Sequence, residues 1–470
     1  MIRAVAVACA LALAACATVP EVGPQRAPKS VNEYAAQKTF ADSNGEWPSD
    51  GWWQAFNDGQ LTALIEEGLQ AAPSIALAKA RLLKADALRE QTRSVRFPNV
   101  SVGVALAESM PSYNTGLPTP PALHGWNDTA RLSLDAAYEI DFWGKNRAAI
   151  AAAAGDVHAA RAELGATHLL LSAAIAAEYA ELNALQKDQE VLERTLHVRE
   201  QTLTLVQRRF QFGYDSEADL RQAEAGPPTL RAQLVAADER ISTSRLRLAA
   251  LIGSGPDRAL QLKTVTVTRI QGLDTPATLP AELLEHRPDV AAARLRAQAA
   301  ADRIDVALAQ FKPSVNLLAL IGRQSLGIDE VFADGSGFGS IGALVSMPVF
   351  DGGRRAGNYR AARADYDAAL ALYEATLVQA LQEIAAAMLQ HQAVDARLIE
   401  DQAALAANTR ALELARARFT AGAADLQSVL LAEDRLLASE RAVAADESRR
   451  IFLQVLLIRA LGGGWTPPGP

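Results

Sequence analysis

Cysteine is nearly absent from this 470-residue chain, which contains only Cys9 and Cys16. So few cysteines exclude a disulfide framework and a cysteine-based metal site. The sequence also lacks a phosphate-binding Gly-Lys-Ser/Thr motif and a His-Glu pair at metal-ligand spacing. Its carboxylates are spread along the faces of predicted helices, where solvated pairing is the default. We therefore expect no catalytic site, no metal and no cofactor.

An excess of positive charge is absent as well. The formal net charge is -8, and basic residues are interspersed with acidic ones, so we expect no nucleic-acid partner. After the first 15 residues, no apolar run is long and charge-free enough for a transmembrane helix. Any membrane span of the mature chain must therefore be built from strands.

The N-terminus has the features of an export signal over residues 1–15. Arg3 supplies positive charge, and the apolar run that follows is too short to span a bilayer. The run ends in Leu-Ala-Ala immediately before Cys16, which resembles the lipobox of bacterial lipoproteins. That resemblance implies a lipidated Cys16, and the alternative is an ordinary secretory signal with a chance cysteine.

The segment 16–58 follows as an extended, proline-containing tether. It ends in Trp52, Trp53 and Phe56, which are expected to dock it onto the folded body through their large apolar surfaces.

Proline and glycine are missing from long stretches. No proline occurs between Pro121 and Pro227, and 358–421 contains neither glycine nor proline. Good helix formers dominate there, and apolar residues recur at alternating spacings of three and four, which is typical of a coiled-coil seam. The seam residues are Leu182, Leu185, Gln189, Leu192, Leu196, Arg199, Leu203, Val206 and Phe210. One uninterrupted helix here would be about 100 Å long at ~1.5 Å per residue.

The chain contains this unit twice. A shift of 209 residues aligns Gly144 with Gly353 and Gly213 with Gly422 without a gap, and a shift of 215 aligns Pro98 with Pro313. Two matching copies indicate a duplication.

Period-two patterns flank each copy. Val102 and Val104 alternate with small residues, and Leu132 and Leu134 alternate with polar ones. The second copy repeats this less cleanly. Strands of about ten residues with one apolar face are typical of outer-membrane barrels. A soluble hairpin packed on the helices is the alternative.

Four such strands cannot close a barrel by themselves. The smallest closed barrels have about eight strands, and an open edge in lipid leaves backbone groups unsatisfied. If the strands span a membrane, the protein must therefore oligomerise.

The predicted fold is mainly α with a small β part, arranged as a duplicated unit of long coiled-coil helices and two β-hairpins. Each long helix is expected to end at a glycine turn, with Ser216 and Asp425 as caps of the returning helices. The sequence Gly226, Pro227, Pro228 inside the first returning helix is expected to break or kink it. The expected segments are the signal 1–15, tether 16–58, first repeat 59–260, linker 261–280, second repeat 281–462 and unstructured tail 463–470. Within the repeats we expect β-hairpins at about 98–139 and 313–349, long helices at 144–212 and 353–421, and returning helices at 216–252 and 425–461.

Together these features resemble the outer-membrane factor family, the TolC-like exit ducts, and most of all its NodT-like lipoprotein branch that serves resistance-nodulation-division pumps. The residues that carry the resemblance are Cys16, Trp52, Trp53, Phe56, 139–144, Arg209, Phe210, Gly213, 287–289, 350–354, Arg418, Phe419 and Gly422. The match covers nearly the whole chain.

The resemblance implies a homotrimer in which three chains share a twelve-stranded barrel in the outer membrane and an α-helical tunnel in the periplasm. Function would be passive export from an inner-membrane RND-type pump, with lipid of the outer membrane around the barrel. A periplasmic adaptor, or membrane fusion protein, would contact the two tips. The tip residues are Arg209, Phe210, Gly213, Ser216, Arg418, Phe419, Gly422 and Asp425.

In the family, the closed periplasmic end carries acidic or bulky apolar residues just after the second tip. Asp425, Ser428 and Leu431 occupy those places here. An acidic ring at Asp425 and an apolar constriction at Leu431 are the two alternatives for this gate. Asp425 also has the simpler role of helix N-cap.

A second function class also stays open at this point. The chain could be a lipid-anchored periplasmic coiled-coil adaptor or scaffold without a pore. The doubled hairpin and the paired strand patterns favour the exit duct.

Overall fold

A computed structural model of the protein describes residues 19–29, 31–34, 47–114, 116, 118, 120–121, 124–265, 267 and 286–467. The predicted signal 1–15 and Cys16 lie outside these residues, as do most of the predicted linker 261–280 and the start of the second repeat at 281–285.

The described residues form seven α-helices and four β-strands. In chain order they are α1 (Gly59–Ala71), α2 (Pro73–Arg93), β1 (Asn99–Ser109), β2 (Asn127–Ile140), α3 (Lys145–Gln211), α4 (Glu217–Leu251), α5 (Pro288–Ala309), β3 (Ser314–Leu326), β4 (Gly337–Ser346), α6 (Arg354–Thr420) and α7 (Leu426–Ala460). The fold is mainly helical with a small antiparallel sheet.

The duplication is visible in the bounds of the helices. Both ends of α6 lie 209 residues after those of α3, since 354 − 145 and 420 − 211 each give 209. The same shift relates α7 to α4, since 426 − 217 and 460 − 251 also give 209. The long helices and the returning helices of the two copies therefore match in length residue for residue.

The chain divides into two compact units. The first comprises 19–28, 82–159 and 293–373. Its sheet has the strand order β1-β2-β3-β4, all antiparallel, so the two predicted hairpins are joined through β2 and β3. Across the sheet, Val102 pairs with Leu134, and Leu134 pairs with Ile321. Because paired residues share a face, the apolar residues that alternate in each strand form one face.

Carboxylate caps start both long helices in this unit. The Asp141 carboxylate accepts hydrogen bonds from the N–H groups of Asn146 (3.1 Å) and Arg147 (2.9 Å). Asp351 does the same for Arg355 N–H at 3.2 Å. An acidic side chain at a helix N-terminus satisfies free N–H groups and complements the helix dipole.

The second unit comprises 29–81, 160–292 and 374–470, of which parts are described. Trp52 and Phe56 are buried in its core with Leu64, Ile175 and Leu248, which confirms that these aromatic residues dock the tether. The described part of the tail has no helix or strand. It is nevertheless packed, because a Cβ at Gly463 would meet the side chains of Leu169 and Trp52.

The prediction for Gly226, Pro227 and Pro228 was wrong where it expected a break. Helix α4 runs unbroken through both prolines. Each proline removes one N–H from the helix ladder, but the buried Pro227 is held in the helix packing, which overrides local propensity. At Gly226 a Cβ would lie 3.4 Å from Cδ of Arg199, an ordinary contact distance, so packing does not require glycine at this position.

Candidate functional site

The first helical tip joins α3 to α4 through a Schellman turn. Tyr214 N–H donates to the Arg209 carbonyl and Gly213 N–H donates to the Phe210 carbonyl, both at 2.9 Å. Gly213 has φ of 76°, a conformation that side chains with a Cβ resist. Glycine is therefore required by the turn itself.

The second tip repeats this turn between α6 and α7. Ala423 N–H donates to the Arg418 carbonyl at 2.8 Å, and Gly422 N–H donates to the Phe419 carbonyl at 3.0 Å. Gly422 has φ of 74°. Arg418 is exposed beside the turn. The two tips thus have the same backbone geometry.

The returning helices are capped as the sequence predicts. Ser216 forms a capping box with Asp219, each side chain accepting from the other's backbone N–H. Asp425 accepts from Ser428 N–H at 2.9 Å. Hydrogen bonds from the hydroxyl and then the N–H of Ser428 hold the pKa of Asp425 below its usual value of 3.8. Asp425 is therefore a charged N-cap at neutral pH.

Arg209 ties the two tips to each other. Its Nε donates to the Asp215 carboxylate at 2.9 Å, and its Nη1 donates to the Phe419 carbonyl at 3.1 Å. Its guanidinium lies 4.3 Å from the centre of the Phe419 ring, a favourable cation–π arrangement. Arg209 and Phe419 therefore act within the protein at this end.

The aromatic residues of the two tips differ in exposure. Phe419 is only 2% exposed, whereas Phe210 is 38%, Phe212 76% and Tyr214 74% exposed. Phe212 and Tyr214 were missed as candidate contact residues, although their position on both sides of Gly213 was a signal available in the sequence. The first tip thus presents a patch of three aromatic side chains, Phe210, Phe212 and Tyr214, hereafter the aromatic patch.

The candidate gate residues occupy one side of α7. Asp425, Ser428 and Leu431 are exposed, whereas Leu426 and Val429 are buried on the packed side. Their spacing of three residues places the exposed ones along one edge of the helix.

A buried ionic cluster on α7, which no sequence pattern predicts, lies near this edge. Glu433 is 2% exposed and pairs with Arg199 at 3.1 Å and Arg416 at 3.0 Å. Thr202 donates its hydroxyl to Glu433 at 2.7 Å, and Arg199 also pairs with Asp434. The cluster joins α3, α6 and α7, because its members come from all three helices.

One face of the sheet is apolar and exposed along all four strands. The exposed residues on it are Val100, Val102, Val104, Leu106, Leu134, Leu317, Ile321, Ile341 and Val345. An exposed apolar surface this continuous marks a membrane or protein interface.

Two kinds of feature are absent from the described ranges. None of the helices there combines the length and the apolar character needed to cross a membrane. No cluster of three or more His, Cys, Asp or Glu side chains in the same ranges could hold a metal ion.

Comparison with known proteins identifies the family. The sequence profile of the outer membrane efflux protein family matches residues 64–254 and 279–463, one match in each repeat. The multidrug resistance outer membrane protein MdtP of Escherichia coli K12 is 30% identical over 428 residues, which cover 89% of this chain and 87% of MdtP. The fusaric acid resistance protein FusA of Burkholderia cepacia is 30% identical over 365 residues, covering 76% of this chain and 68% of FusA.

Solved structures agree. The outer membrane protein VceC of Vibrio cholerae superimposes with a TM-score of 0.84 at 41% identity, covering 89% of this chain and all of VceC. The alternative of a periplasmic adaptor or scaffold is therefore set aside. Channels of this family work with adaptor proteins and inner-membrane pumps in tripartite efflux. This chain belongs to the outer membrane efflux protein family and is an exit duct of the outer membrane.

Proposed function

We propose that three copies of this chain share a twelve-stranded barrel in the outer membrane, continued by an α-helical tunnel in the periplasm, and that the duct exports small molecules passively. Each chain brings four strands, and β1 and β4 are the edges of its sheet. In lipid those edges must be paired. Pairing β4 of one copy with β1 of the next satisfies both edges.

The continuous apolar face of the sheet is the observation that carries this proposal. Val104 and Ala105 are neighbours in the middle of β1, both exposed and on opposite faces. An arginine at Val104 would face lipid and should cost about 2–4 kcal/mol of barrel stability near the midplane. Ala105→Glu should be tolerated, because it faces the water-filled interior and lies opposite Arg131 of β2, a residue of opposite charge. If the oligomers of the two variants dissociated at the same temperature on a gel, the result would contradict a membrane-spanning sheet.

The duplication supports a specific contact between copies. Within the chain, α5 packs on α3, where a Cβ at Gly155 would lie 3.0 Å from Cβ of Ala299, and Arg303 pairs with Asp156. The repeat shifts carry this contact to α2 and α6. We infer that α2 of one copy packs on α6 of its neighbour in the same way.

The residues at this second contact are available for it. Lys84, Leu88, Ala364 and Asp365 are the repeat equivalents of Ala299, Arg303, Gly155 and Asp156, and all four are exposed in the single chain. In the trimer Lys84 would pair with Asp365 of the neighbour, replacing the pair of Arg303 with Asp156.

Disulfide crosslinking tests the contact. Lys84→Cys combined with Asp365→Cys should give covalent dimers and trimers after mild oxidation. The control pairs Asp365→Cys with Arg294→Cys, an exposed residue on α5, and should remain monomeric on the gel. Crosslinks only in the control would show that the copies associate through another face.

We further propose that the two tips contact the hairpins of a periplasmic adaptor. The aromatic patch, Arg418 and the exposed turn residues around Gly422 support this, since exposed aromatic residues and arginine are enriched in interfaces. Arg209 and Phe419 would contribute by holding the tips together, and Gly213, Ser216, Gly422 and Asp425 by shaping the turns.

Crosslinking to the adaptor tests the docking. Cysteine at Phe212 or Ala423 should crosslink to a cysteine at the hairpin tip of the cognate adaptor in living cells. Cysteine at Glu193 is the control, because this exposed residue of α3 lies roughly 28 Å up the helix from Phe212 at ~1.5 Å per residue. Efficient crosslinks at Glu193 alone would mean that the adaptor contacts the helix flank.

The exposed edge formed by Asp425, Ser428 and Leu431 is proposed as the periplasmic constriction. Asp425 is already engaged as a helix cap, which favours Leu431 as the narrowing side chain. Leu431→Ser should raise single-channel conductance in planar bilayers. Gln222, its equivalent in the first repeat, is the matched control, and Gln222→Ser should leave conductance unchanged.

Cys16 is proposed as a lipid anchor in addition to the barrel. The lipobox-like sequence before it supports acylation, and the residue after it, Ala17, favours the outer membrane by resemblance. Cys16→Ser should abolish palmitate labelling while the protein stays in the outer membrane, because the proposed barrel holds it there without the lipid. Undiminished labelling of the variant would refute the anchor.

Small organic molecules are the proposed cargo, delivered by an RND-type pump. The support is the naming of relatives for multidrug and fusaric acid resistance. Deleting the gene should sensitise the host to such compounds, and re-expression should restore resistance only together with the cognate pump and adaptor.

A further inference from the structure

A groove of about 820 Å³ runs across the apolar face of the sheet near the loop between β3 and β4. Its walls are the side chains of Leu132, Leu134 and Ile321. Its floor lies on β4, where Gly337 and Gly339 pair with Arg323 and Ile321. Because these two glycines have no side chains, they leave open space on this face beside the taller side chains of β2 and β3.

Arg323 is a charged residue on this otherwise apolar face, since it pairs with Leu132 of β2. Its Nη1 donates to the Phe332 carbonyl at 2.9 Å, and its guanidinium lies 6.0 Å from the Phe332 ring. Phe332 also lines the groove and is 72% exposed. Arg323 is therefore fixed in position at one end of the groove.

The guanidinium keeps donors available. Among the described residues, no carboxylate forms an ion pair with Arg323, and its Nε and Nη2 donate to none of them. Asp329 and Glu330 lie in the same loop as Phe332, but neither forms an ion pair with Arg323. An anionic group placed at the mouth of the groove could thus accept a bidentate bond from Arg323.

The position of Arg323 along β3 sets the depth of its side chain in the membrane, and therefore the lipid leaflet that it would contact. β3 begins at Ser314, a few residues after α5 ends at Ala309, so the helix-bearing side is at that end. Arg323 lies nine residues further on, roughly 30 Å along a strand and about 23 Å along the membrane normal at typical barrel tilt. An apolar band is about 25 Å tall, so Arg323 is at its outer boundary.

We propose that this groove binds lipid A, the phosphorylated glycolipid of the outer leaflet, with an acyl chain between Leu132, Leu134 and Ile321 and a phosphate on Arg323. The inference rests on the proposed function, since it requires the sheet to cross the outer membrane. The apolar groove fits a chain, and the free donors of a fixed arginine fit a phosphate at the outer boundary.

Native mass spectrometry of the purified full-length protein tests the inference, with diphosphoryl lipid A as the added ligand. Arg323→Gln should weaken binding at least about tenfold, the loss expected for one charged hydrogen-bonded contact. Arg131→Gln is the matched control, because Arg131 pairs with Gln324, the residue next to Arg323, and lies on the opposite face. The control should bind as the unaltered protein does.

A second variant tests the groove independently of charge. Gly337→Leu should block it without backbone strain, since a Cβ at Gly337 meets nothing within 4 Å and its φ is not positive. Gly342→Leu is equally free of contacts and lies on the other face of the same strand, so it should not affect binding. Loss of binding only in Arg323→Gln and Gly337→Leu supports the site.

Three results would overturn the inference. They are equal binding by Arg323→Gln and the unaltered protein, equal loss in Arg131→Gln, and equal affinity for phosphatidylglycerol, which would make the groove a site for any anionic lipid. Outer-membrane fractionation and bilayer conductance of the same preparations distinguish failure of the proposed function from failure of this inference. A protein that neither inserts nor conducts fails the proposed function, whereas one that conducts without preferring lipid A fails this inference alone.

Discussion

The two helical hairpins, α3–α4 and α6–α7, are equal in length residue for residue, but equivalent carboxylates in them have opposite environments. Glu224 of the first hairpin pairs with Arg221 one turn away at the surface. Its equivalent Glu433 is buried among two arginines and a threonine drawn from other helices. Duplication has thus preserved the backbone of the unit while its chemistry has diverged.

The first helices of the repeats differ in the same way. α5 is rich in buried alanine and packs closely on α3, whereas α2 exposes Leu77, Leu83 and Leu88. The first helix of the second repeat is thus covered within the chain, whereas the first helix of the first repeat is left exposed. This difference indicates that another copy of the chain covers α2. The comparison of repeats therefore separates residues that stabilise the protomer from residues left for assembly.

The largest effect is expected at the buried carboxylate. Glu433→Ala removes the shared partner of Arg199 and Arg416, although Arg199 keeps Asp434. The loss of these charged hydrogen bonds should cost about 3 kcal/mol of stability. Glu224→Ala removes only a surface pair and should stay within about 0.5 kcal/mol. Melting temperatures by circular dichroism measure both.

One result would contradict this difference in stability. If Glu224→Ala and Glu433→Ala lowered the melting temperature equally, burial of the second carboxylate would not distinguish the hairpins. A double variant with Arg199→Ala should recover part of the loss from Glu433→Ala, because the pair would then be removed together.

Much of this architecture was predictable because it depends on local pattern. The helix-rich, glycine-free stretches and the period-two segments indicate their own secondary structure, and the Schellman glycines Gly213 and Gly422 indicate where the hairpins turn. Each of these signals is carried by consecutive residues of a single segment of the chain.

The features that were missed depend on contacts between distant segments. Nothing near Glu433 in the sequence shows that Arg199 and Arg416 would surround it, and nothing near Phe419 shows that Arg209 would cover its ring. The prolines of α4 were misjudged for a related reason, because packing along the hairpin outweighed their local preference.

A smaller effect is expected where α5 meets α3. Gly155→Val should overpack against Ala299 and cost about 1–3 kcal/mol. Its equivalent Ala364 is exposed in the single chain, so Ala364→Val should leave protomer stability unchanged and weaken only the trimer. Melting of the dissociated protomer and trimer level on a mild gel separate the two outcomes, and an equal loss of protomer stability would remove the distinction.

The two glycine turns should respond identically, since their backbone geometry is the same in both repeats. Gly213→Val and Gly422→Val each force a β-branched residue to positive φ and should each cost about 1–2 kcal/mol. A Cβ at either position meets no atom within 4 Å, so the cost comes from the backbone alone. Local hydrogen exchange at the two turns is the measurement, and tolerance at one tip only would show that their turns differ.

The smallest effect concerns the caps and their response to acid. Hydrogen bonds from the Ser428 hydroxyl and N–H lower the pKa of Asp425, and those from the Ser216 hydroxyl and N–H lower the pKa of Asp219. Since each folded pKa lies below the ordinary carboxyl value of 3.8, each cap is fully stabilising above that value. The stabilisation is lost as pH falls through the folded pKa.

Asp425→Asn should separate the two tips in acid. Asparagine is also a good N-cap but does not titrate, so the first turn of α7 should keep its protection from hydrogen exchange between about pH 5 and about pH 2.5. The first turn of α4, capped by Ser216 with Asp219, should still lose protection over that range in the same molecule. If the first turn of the variant's α7 loosened in acid as much as that of the unaltered protein, titration of Asp425 would not be the cause, and the acid response of the tip would have to come from the arginine–carboxylate contacts behind it.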